Sequence, residues 1–330
     1  MKVSIALAAY NGGAYLAEQL ESFAAQTRLP DELVVVDDGS RDGTPDIVRA
    51  FAARAPFPVK LVENAENLGY AQNFGKALSL CSGDLLFMSD QDDVWFDRKI
   101  EIVADLASRN PGAACLMNDA LLTDGELVPA GVSKLGQIRA AGLPDTAFVM
   151  GCCAALRREL LDILLPIPEK SPSHDNWLVE VADLFGLTHR CEEPLQYYRR
   201  HGANTSNFFV NETQKPSRLD RLSRNLRQLW RRARSSDSLA KEHGFHGALD
   251  ARIAERREAC EQLIGSDRLG EVESKVVRRR ETLEARLAIR RRGFGARPLA
   301  IITLWRKGGY RASGGVPGVL KDLIVCGSAV

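Results

Sequence analysis

The chain has 330 residues, of which 45% are hydrophobic and 26% charged, with a formal net charge of +1. That is ordinary for a globular protein, long enough for one large α/β domain plus an appendage, and no apolar run reaches the ~18 residues of a spanning helix. The near-neutral total conceals 18 Lys and Arg against 30 Asp and Glu over residues 1–214, and 26 against 13 over residues 215–330, which predicts two parts that meet different partners.

Taken in chain order, Val3–Ala8 reads as a strand. The alternative of a signal peptide fails at Tyr10-Asn11-Gly12-Gly13, which ends the apolar stretch without a cleavage site. Leu16, Leu20, Phe23 and Ala24 recur at helical spacing, and Leu33–Val36 is a β-branched second strand that stops at Asp37-Asp38-Gly39-Ser40. Thr44 as N-cap and Pro45 in the first turn predict a helix to about Ala53. Val59–Val62 and Leu85–Met88 read as strands on either side of a helix over Ala71–Leu80. Strands alternating with helices imply a mostly parallel, doubly wound sheet. Further on, Asp97–Arg109, Arg157–Leu165 and Asn176–Phe185 read as helices, Ala113–Met117 and Phe148–Met150 as strands, and Pro194–Tyr198 as extended chain.

The stretch Ser89-Asp90-Gln91-Asp92-Asp93 sets three carboxylates within four positions directly after the fourth strand. In open α/β sheets ligands bind at the carboxyl ends of strands, and clustered aspartate oxygens suit a hard divalent cation with the hydroxyls or phosphates it accompanies. Seven cysteines, Cys81, Cys115, Cys152, Cys153, Cys191, Cys260 and Cys326, show no paired ligand spacing and read as reduced core thiols, which favours the cytoplasm.

Four features therefore occur in order: Ala8-Ala9-Tyr10-Asn11, Asp37-Asp38-Gly39-Ser40, the stretch from Asn67 to Asn73, and Asp90 to Asp93, followed by Ser173-His174-Asp175-Asn176-Trp177 and Tyr198-Arg199-Arg200-His201. Over roughly residues 1–215 this series resembles the inverting glycosyltransferases of family 2, which have the GT-A fold. The resemblance implies a nucleotide-sugar donor and a divalent metal, Mn²⁺ or Mg²⁺, with Asp92 as ligand and His201 in a loop over the diphosphate beside the same metal. It implies donor contacts from Ala8, Tyr10, Asn11, Asp38, Asn73, Asp90, Arg199, Arg200 and His201, with Asn204 a further loop contact. It maps the catalytic base onto Asp175, and the acceptor side onto Gly151, His174 and Trp177. His174 departs from the family pattern, in which many members carry an acid there. The pattern around Asp90–Trp95 looks like members that include rhamnosyltransferases, so deoxythymidine-diphosphate rhamnose joins uridine-diphosphate hexoses among the expected donors.

Residues 215–330 form a basic, largely helical region. Leu219, Leu222, Leu226, Leu229 and Trp230 mark an apolar stripe between arginines, and Leu299–Trp305 and Leu323–Val325 are apolar runs beside Arg306, Lys307 and Lys321. Two readings stand: a charged bundle face, or a surface that docks peripherally on the inner, anionic face of the cytoplasmic membrane and suits a lipid-linked or polysaccharide acceptor. Two other functions compete. A sugar nucleotidyltransferase usually carries a basic residue after the first-strand glycines, and Asn11-Gly12-Gly13-Ala14 lacks one. A non-enzymatic nucleotide- or nucleic-acid-binding protein leaves the aspartates unexplained, so no nucleic acid is expected.

Overall fold

The computed structural model describes residues 1–169, 171, 173–202, 237–311, 313 and 315–325. These fall into two compact units, one within residues 1–169 and 173–215 and one within 170–172 and 216–330. The boundary expected near residue 215, the stripe from Leu219 to Trp230, Asn204 and Cys326 lie outside the described residues.

The first unit is built on a nine-stranded sheet. Strand β1 (Val3–Ala9) pairs in parallel with β2 (Glu32–Asp37) on one side and β4 (Leu85–Ser89) on the other, and β2 pairs in parallel with β3 (Val59–Glu63). Helices α1 (Leu16–Ala24), α2 (Thr44–Ala52) and α3 (Tyr70–Leu80) connect them. Every residue of β4 is buried and only Ala8 in β1 is partly exposed, because crossover helices cover both faces of such a sheet. All four strands consequently end at one edge, where the loops carrying Tyr10, Asp38 and Asp90 begin.

Beyond β4 the sheet becomes mixed. Strand β8 (Ala154–Arg157) runs antiparallel between β4 and β6 (Cys115–Thr123). Strand β9 (Thr188–Arg199) lies parallel to β6 and also receives the two-residue β5 (Val94–Trp95), while β7 (Pro129–Ser133) pairs with β6. Helix α4 (Lys99–Arg109) packs behind β6, and α5 (Lys134–Ala140) and α6 (Arg158–Leu164) complete the covering.

The alternation expected up to Met88 is present, and three local expectations need correction. Phe148–Met150 is not a strand but the link between two 3₁₀ turns, Asp145–Ala147 and Gly151–Cys153, and the strand comes four residues later as β8. Thr44 is not the N-cap of α2. Gly43 holds that place at φ 83°, which frees the Thr44 hydroxyl to accept from Gly12 N at 2.8 Å. The helix expected over Asn176–Phe185 opens with a π-helical turn, Asn176–Glu180, before α7 (Val181–Phe185). The six described cysteines are unpaired, and burial pushes the Cys81 and Cys115 thiols up to about 12, as reduced core thiols require.

The second unit is helical, with Asp237–Glu255, Arg257–Ile264, Ser266–Arg291, Arg297–Arg306 and Gly315–Ile324. Many of its arginines bind acids of neighbouring helices: Arg279 holds Glu242, Arg280 holds Asp250 and Arg257 holds Glu273. These pairs are the charged bundle face that the composition allows.

Gly83 shows how closely the entry to β4 is fitted. Its N–H donates to Ser4 Oγ at 2.8 Å, and a Cβ there would lie 2.5 Å from that oxygen, 2.9 Å from Ser4 N and 3.0 Å from Lys2 O. Backbone cannot yield as a side-chain tip can, so Gly83→Ala is expected to cost about 1–3 kcal/mol in urea unfolding. An unchanged midpoint would show that the β1–β4 edge relaxes freely.

Candidate functional site

The loop after β1 is held to the loop after β2 by side chains. Asn11, at φ 48°, donates its N–H to Ser40 Oγ at 2.8 Å and accepts from Arg41 N at 3.0 Å, and Gly13 N donates to Asp42 Oδ2 at 2.8 Å. Gln91 pairs its amide with both backbone groups of Tyr10. Tyr10 is thereby fixed at its backbone while its ring stays half exposed, and Ala8 is the one partly exposed residue of β1. Asn11 acts as a brace between loops, a role its side chain can fill because asparagine tolerates the left-handed region.

Two expected donor contacts take different places. Asp38 is buried, and its carboxylate accepts from Asn64 Nδ2 at 2.7 Å, Leu68 N at 2.8 Å and Gly69 N at 2.9 Å. It shapes the Asn67–Gly69 turn and presents little of itself to a ligand. Asn73 is buried as well: its Nδ2 donates to Val36 O at 2.8 Å and its Oδ1 accepts from Asn64. A side chain with these partners ties strand ends together.

At the end of β4 the three aspartates diverge. Asp93 is fully buried and accepts from Gln196 Nε2 at 2.8 Å and Arg199 N at 3.2 Å. Gln196 in turn accepts from Lys99, whose ammonium also donates to Cys152 O at 3.0 Å and lies 4.0 Å from the centre of the Trp95 ring. Asp92 meets His201, Oδ2 to Nε2 2.8 Å, so the two expected metal ligands come together across 109 positions. Arg199 departs from expectation. It is buried, holds Glu18, donates to Gly125 O at 2.7 Å and Asp92 O at 2.9 Å, and stacks over Tyr15. Such a guanidinium builds the loop, whereas Arg200 keeps partial exposure beside Tyr198.

The turn Gly151–Cys153 joins this cluster to the second motif. Cys152 Sγ, Asp90 and Asp93 place ligand-type atoms within 4.8 Å of one another. Next door, a Cβ on Gly151 would lie 2.5 Å from Asp175 Oδ1 and 2.7 Å from His174 Nε2. His174 and Asp175 are in direct charge contact, and the buried imidazole stacks on Phe74 at 4.0 Å. Burial opposes charge on His174, yet Asp175 and Asp90 outweigh it and raise its pKa. Asp175 has helical φ and ψ, and it is Ser173 that caps the helix by accepting from Asn176 N at 3.1 Å. Asp175 is therefore spared the capping role that alone would explain it. Trp177 is buried with its Nε1–H on Leu164 O at 2.7 Å, which anchors this helix in the core. Reading from the sequence missed Lys99 and Gln196; a lysine at a helix start and a glutamine in an alternating strand carry no mark of burial.

The electrostatics fit a hard cation. Burial, then the charges of Asp92 and Asp175, push the Asp90 carboxyl up to about 7, and burial, then the charges of Asp92 and Asp90, holds Asp93 well above the usual range. The trio with Cys152 is a poorer match: its thiol is held well above its ordinary value, first by a hydrogen bond with Cys153 and then by burial. A protonated thiol is a donor to carboxylates, not a ligand for Mg²⁺ or Mn²⁺. Asp92 and His201, in contact with each other, offer a carboxylate oxygen and an imidazole nitrogen, the donor types that suit those ions.

The glycosyl transferase family 2 model matches residues 4–165. Among curated relatives, a glycosyltransferase of Nostoc sp. is 27% identical over 214 residues, 62% of this chain and 66% of that protein. The dTDP-rhamnosyl transferase RfbG of Shigella flexneri is 32% identical over 103 residues, 30% of this chain and 36% of that protein. The chain thus spans less than two thirds of the length of the curated relatives it matches. Among solved structures, residues 1–349 of S. aureus TarS in complex with UDP align with a TM-score of 0.52 at 18% identity, covering 94% of this chain and 89% of that one, which establishes the GT-A fold.

Cation binding requires ionised carboxylates. Asp90 has a folded pKa above its unfolded value, so its contribution to stability falls as pH rises from about 4 towards about 7 and the penalty is complete above that. Mn²⁺ is consequently expected to raise the melting temperature more at pH 8 than at pH 6, and Asp92→Ala to remove most of that gain. Identical melting curves with and without Mn²⁺ at both pH values would remove the cluster as a cation site.

Proposed function

Because the chain carries a family 2 glycosyltransferase domain with the GT-A fold, we propose that it transfers a sugar, with inversion, from a nucleoside-diphosphate sugar to a hydroxyl of a glycan or lipid-linked acceptor in surface glycan synthesis. The observation that carries this reading is the Gly151–Cys153 turn, whose consecutive residues meet the His174–Asp175 pair on one side and Asp90 and Asp93 on the other. A base and a phosphate-side acid cluster within one short turn of each other are what displacement at an anomeric carbon needs.

Asp175 takes the proton of the acceptor hydroxyl as its oxygen attacks the anomeric carbon. The bond from that carbon to the diphosphate oxygen breaks on the opposite face, and the nucleoside diphosphate leaves with the electron pair. His174, clamped between Phe74 and Asp175, orients the carboxylate. Asp90, Asp92 and His201 would hold Mn²⁺ or Mg²⁺, which supplies Lewis-acid stabilisation of the departing diphosphate. Arg200 adds positive charge on that side. The exposed ring of Tyr10 packs on the base, with Ala8 leaving room beneath it and Asp38 acting through the Asn67–Gly69 turn. Likeness to a dTDP-rhamnosyl transferase makes dTDP-rhamnose the first donor to try, beside UDP-hexoses.

Melting curves with Mn²⁺ and each of UDP, dTDP, GDP and ADP should show stabilisation by a pyrimidine diphosphate. With the matching donor sugar, Asp175→Asn is expected to bind it as the parent does and to lose roughly 10²–10⁴-fold in turnover. Transfer by that variant at the parental rate would take the base role from Asp175, and absence of any nucleotide effect would sink the transferase reading.

A further inference from the structure

We propose that the helix pair Arg297–Arg306 and Gly315–Ile324 is a docking surface for an anionic lipid bilayer. The inference does not rest on the proposed reaction. The two helices pack on each other through one side only: Ile301, Leu304, Val319 and Leu323 gather with Ile289 and Tyr310 in a common cluster. Their other sides are also apolar. Leu299, Ile302 and Trp305 recur every three residues along the first helix, Val316, Leu320 and Ile324 every four along the second, and all six are exposed, Leu299 to 74%. A helix that is apolar all round belongs in a core or against lipid. Six large exposed apolar side chains on two helices that pack on each other exceed the singly scattered apolar residues that are ordinary on a surface.

The charges around this patch select the occupant. Between residues 292 and 325 the sequence has six Lys and Arg and a single acid, Asp322. That acid is fully buried, held by Arg286 at 2.7 Å, Arg290 at 2.8 Å and the Tyr310 hydroxyl at 2.9 Å. It therefore offsets nothing at the surface. Arg306 follows Leu299 by seven residues, which returns it to the same side of the helix, and Lys321 lies one turn before Ile324. Lys307 and Arg311 are exposed in the connection between the helices. An apolar stripe whose own helices and connection carry only basic groups at their surface, among the described residues, complements a bilayer whose headgroups are negative. A second copy would bring like charges face to face. No described helix is long and apolar enough to cross a membrane, so the contact is with the interface.

The test uses the full chain and extruded vesicles of phosphatidylcholine alone or with phosphatidylglycerol. Sedimentation with the phosphatidylglycerol vesicles is expected, with little on phosphatidylcholine and release at ~1 M salt, where screening shortens to a few ångströms. Ile302→Ser with Leu320→Ser, and separately Arg306→Glu with Lys307→Glu, should each weaken partitioning ~10-fold or more, while Asp175→Asn binds vesicles like the parent. Quenching of tryptophan fluorescence by brominated lipid should vanish in Trp305→Phe. No association with anionic vesicles, or association unchanged by both double variants, would overturn the proposal. A concentration-dependent dimer abolished by Ile302→Ser with Leu320→Ser would overturn it in favour of a second copy.

Discussion

Three carboxylates crowd at the end of a buried strand, where burial and mutual repulsion push Asp90 and Asp93 towards their neutral forms, and the framework beneath them is organised around one buried cation, Lys99. Its ammonium is enclosed by the Cys152 carbonyl, the Gln196 side chain and the face of Trp95, and burial lowers its pKa to about 8, with Asp93 and Asp90 among the charges that resist the loss. Through Gln196 it reaches Asp93, and through Cys152 it holds the turn that carries Gly151. One side chain from α4 thus links β9, the aspartate cluster and the turn beneath Asp175. An unpaired charge in such a place would be worth several kcal/mol of destabilisation, which is why the neutral partners around it are so complete.

The parallel half of the fold was legible because its signals are local. Val3–Ala8, Leu33–Val36 and Leu85–Met88 are apolar runs of strand length, each closed by Asn, Asp or Gly, and burial on both faces of a parallel sheet produces that pattern. The mixed half was less legible. β5 has two residues, β7 is Pro-Ala-Gly-Val-Ser, and both exist because a long neighbour, β9 or β6, supplies the hydrogen bonds. Nothing within five residues announces a strand whose stability comes from its partner.

The same distinction governs the site. Asp90, Asp92 and His201 stand out by residue type, and the fold does bring Asp92 and His201 into contact. Arg199, Asp38, Asn73 and Trp177 look alike on the page, yet the structure places each in the supporting framework, because the partners that bury them come from elsewhere in the chain. Residue type reports what a side chain is able to do. Burial and saturation of its hydrogen bonds decide whether it does so for the protein or for a ligand.

Asp322 and Arg297 have a consequence for anyone shortening this chain. Arg297 donates to the carbonyls of Arg290, Arg292, Leu323 and Val325, so one guanidinium closes the C-terminal ends of two helices. A stop codon placed before residue 315 would delete Asp322 and strand Arg286 and Arg290 in the interior without a counter-charge, while Arg297 would lose two of its four acceptors. The helix Gly315–Ile324, which a sequence editor would be tempted to trim as an apolar tail, is the keystone that neutralises the buried arginines of the 26-residue helix Ser266–Arg291.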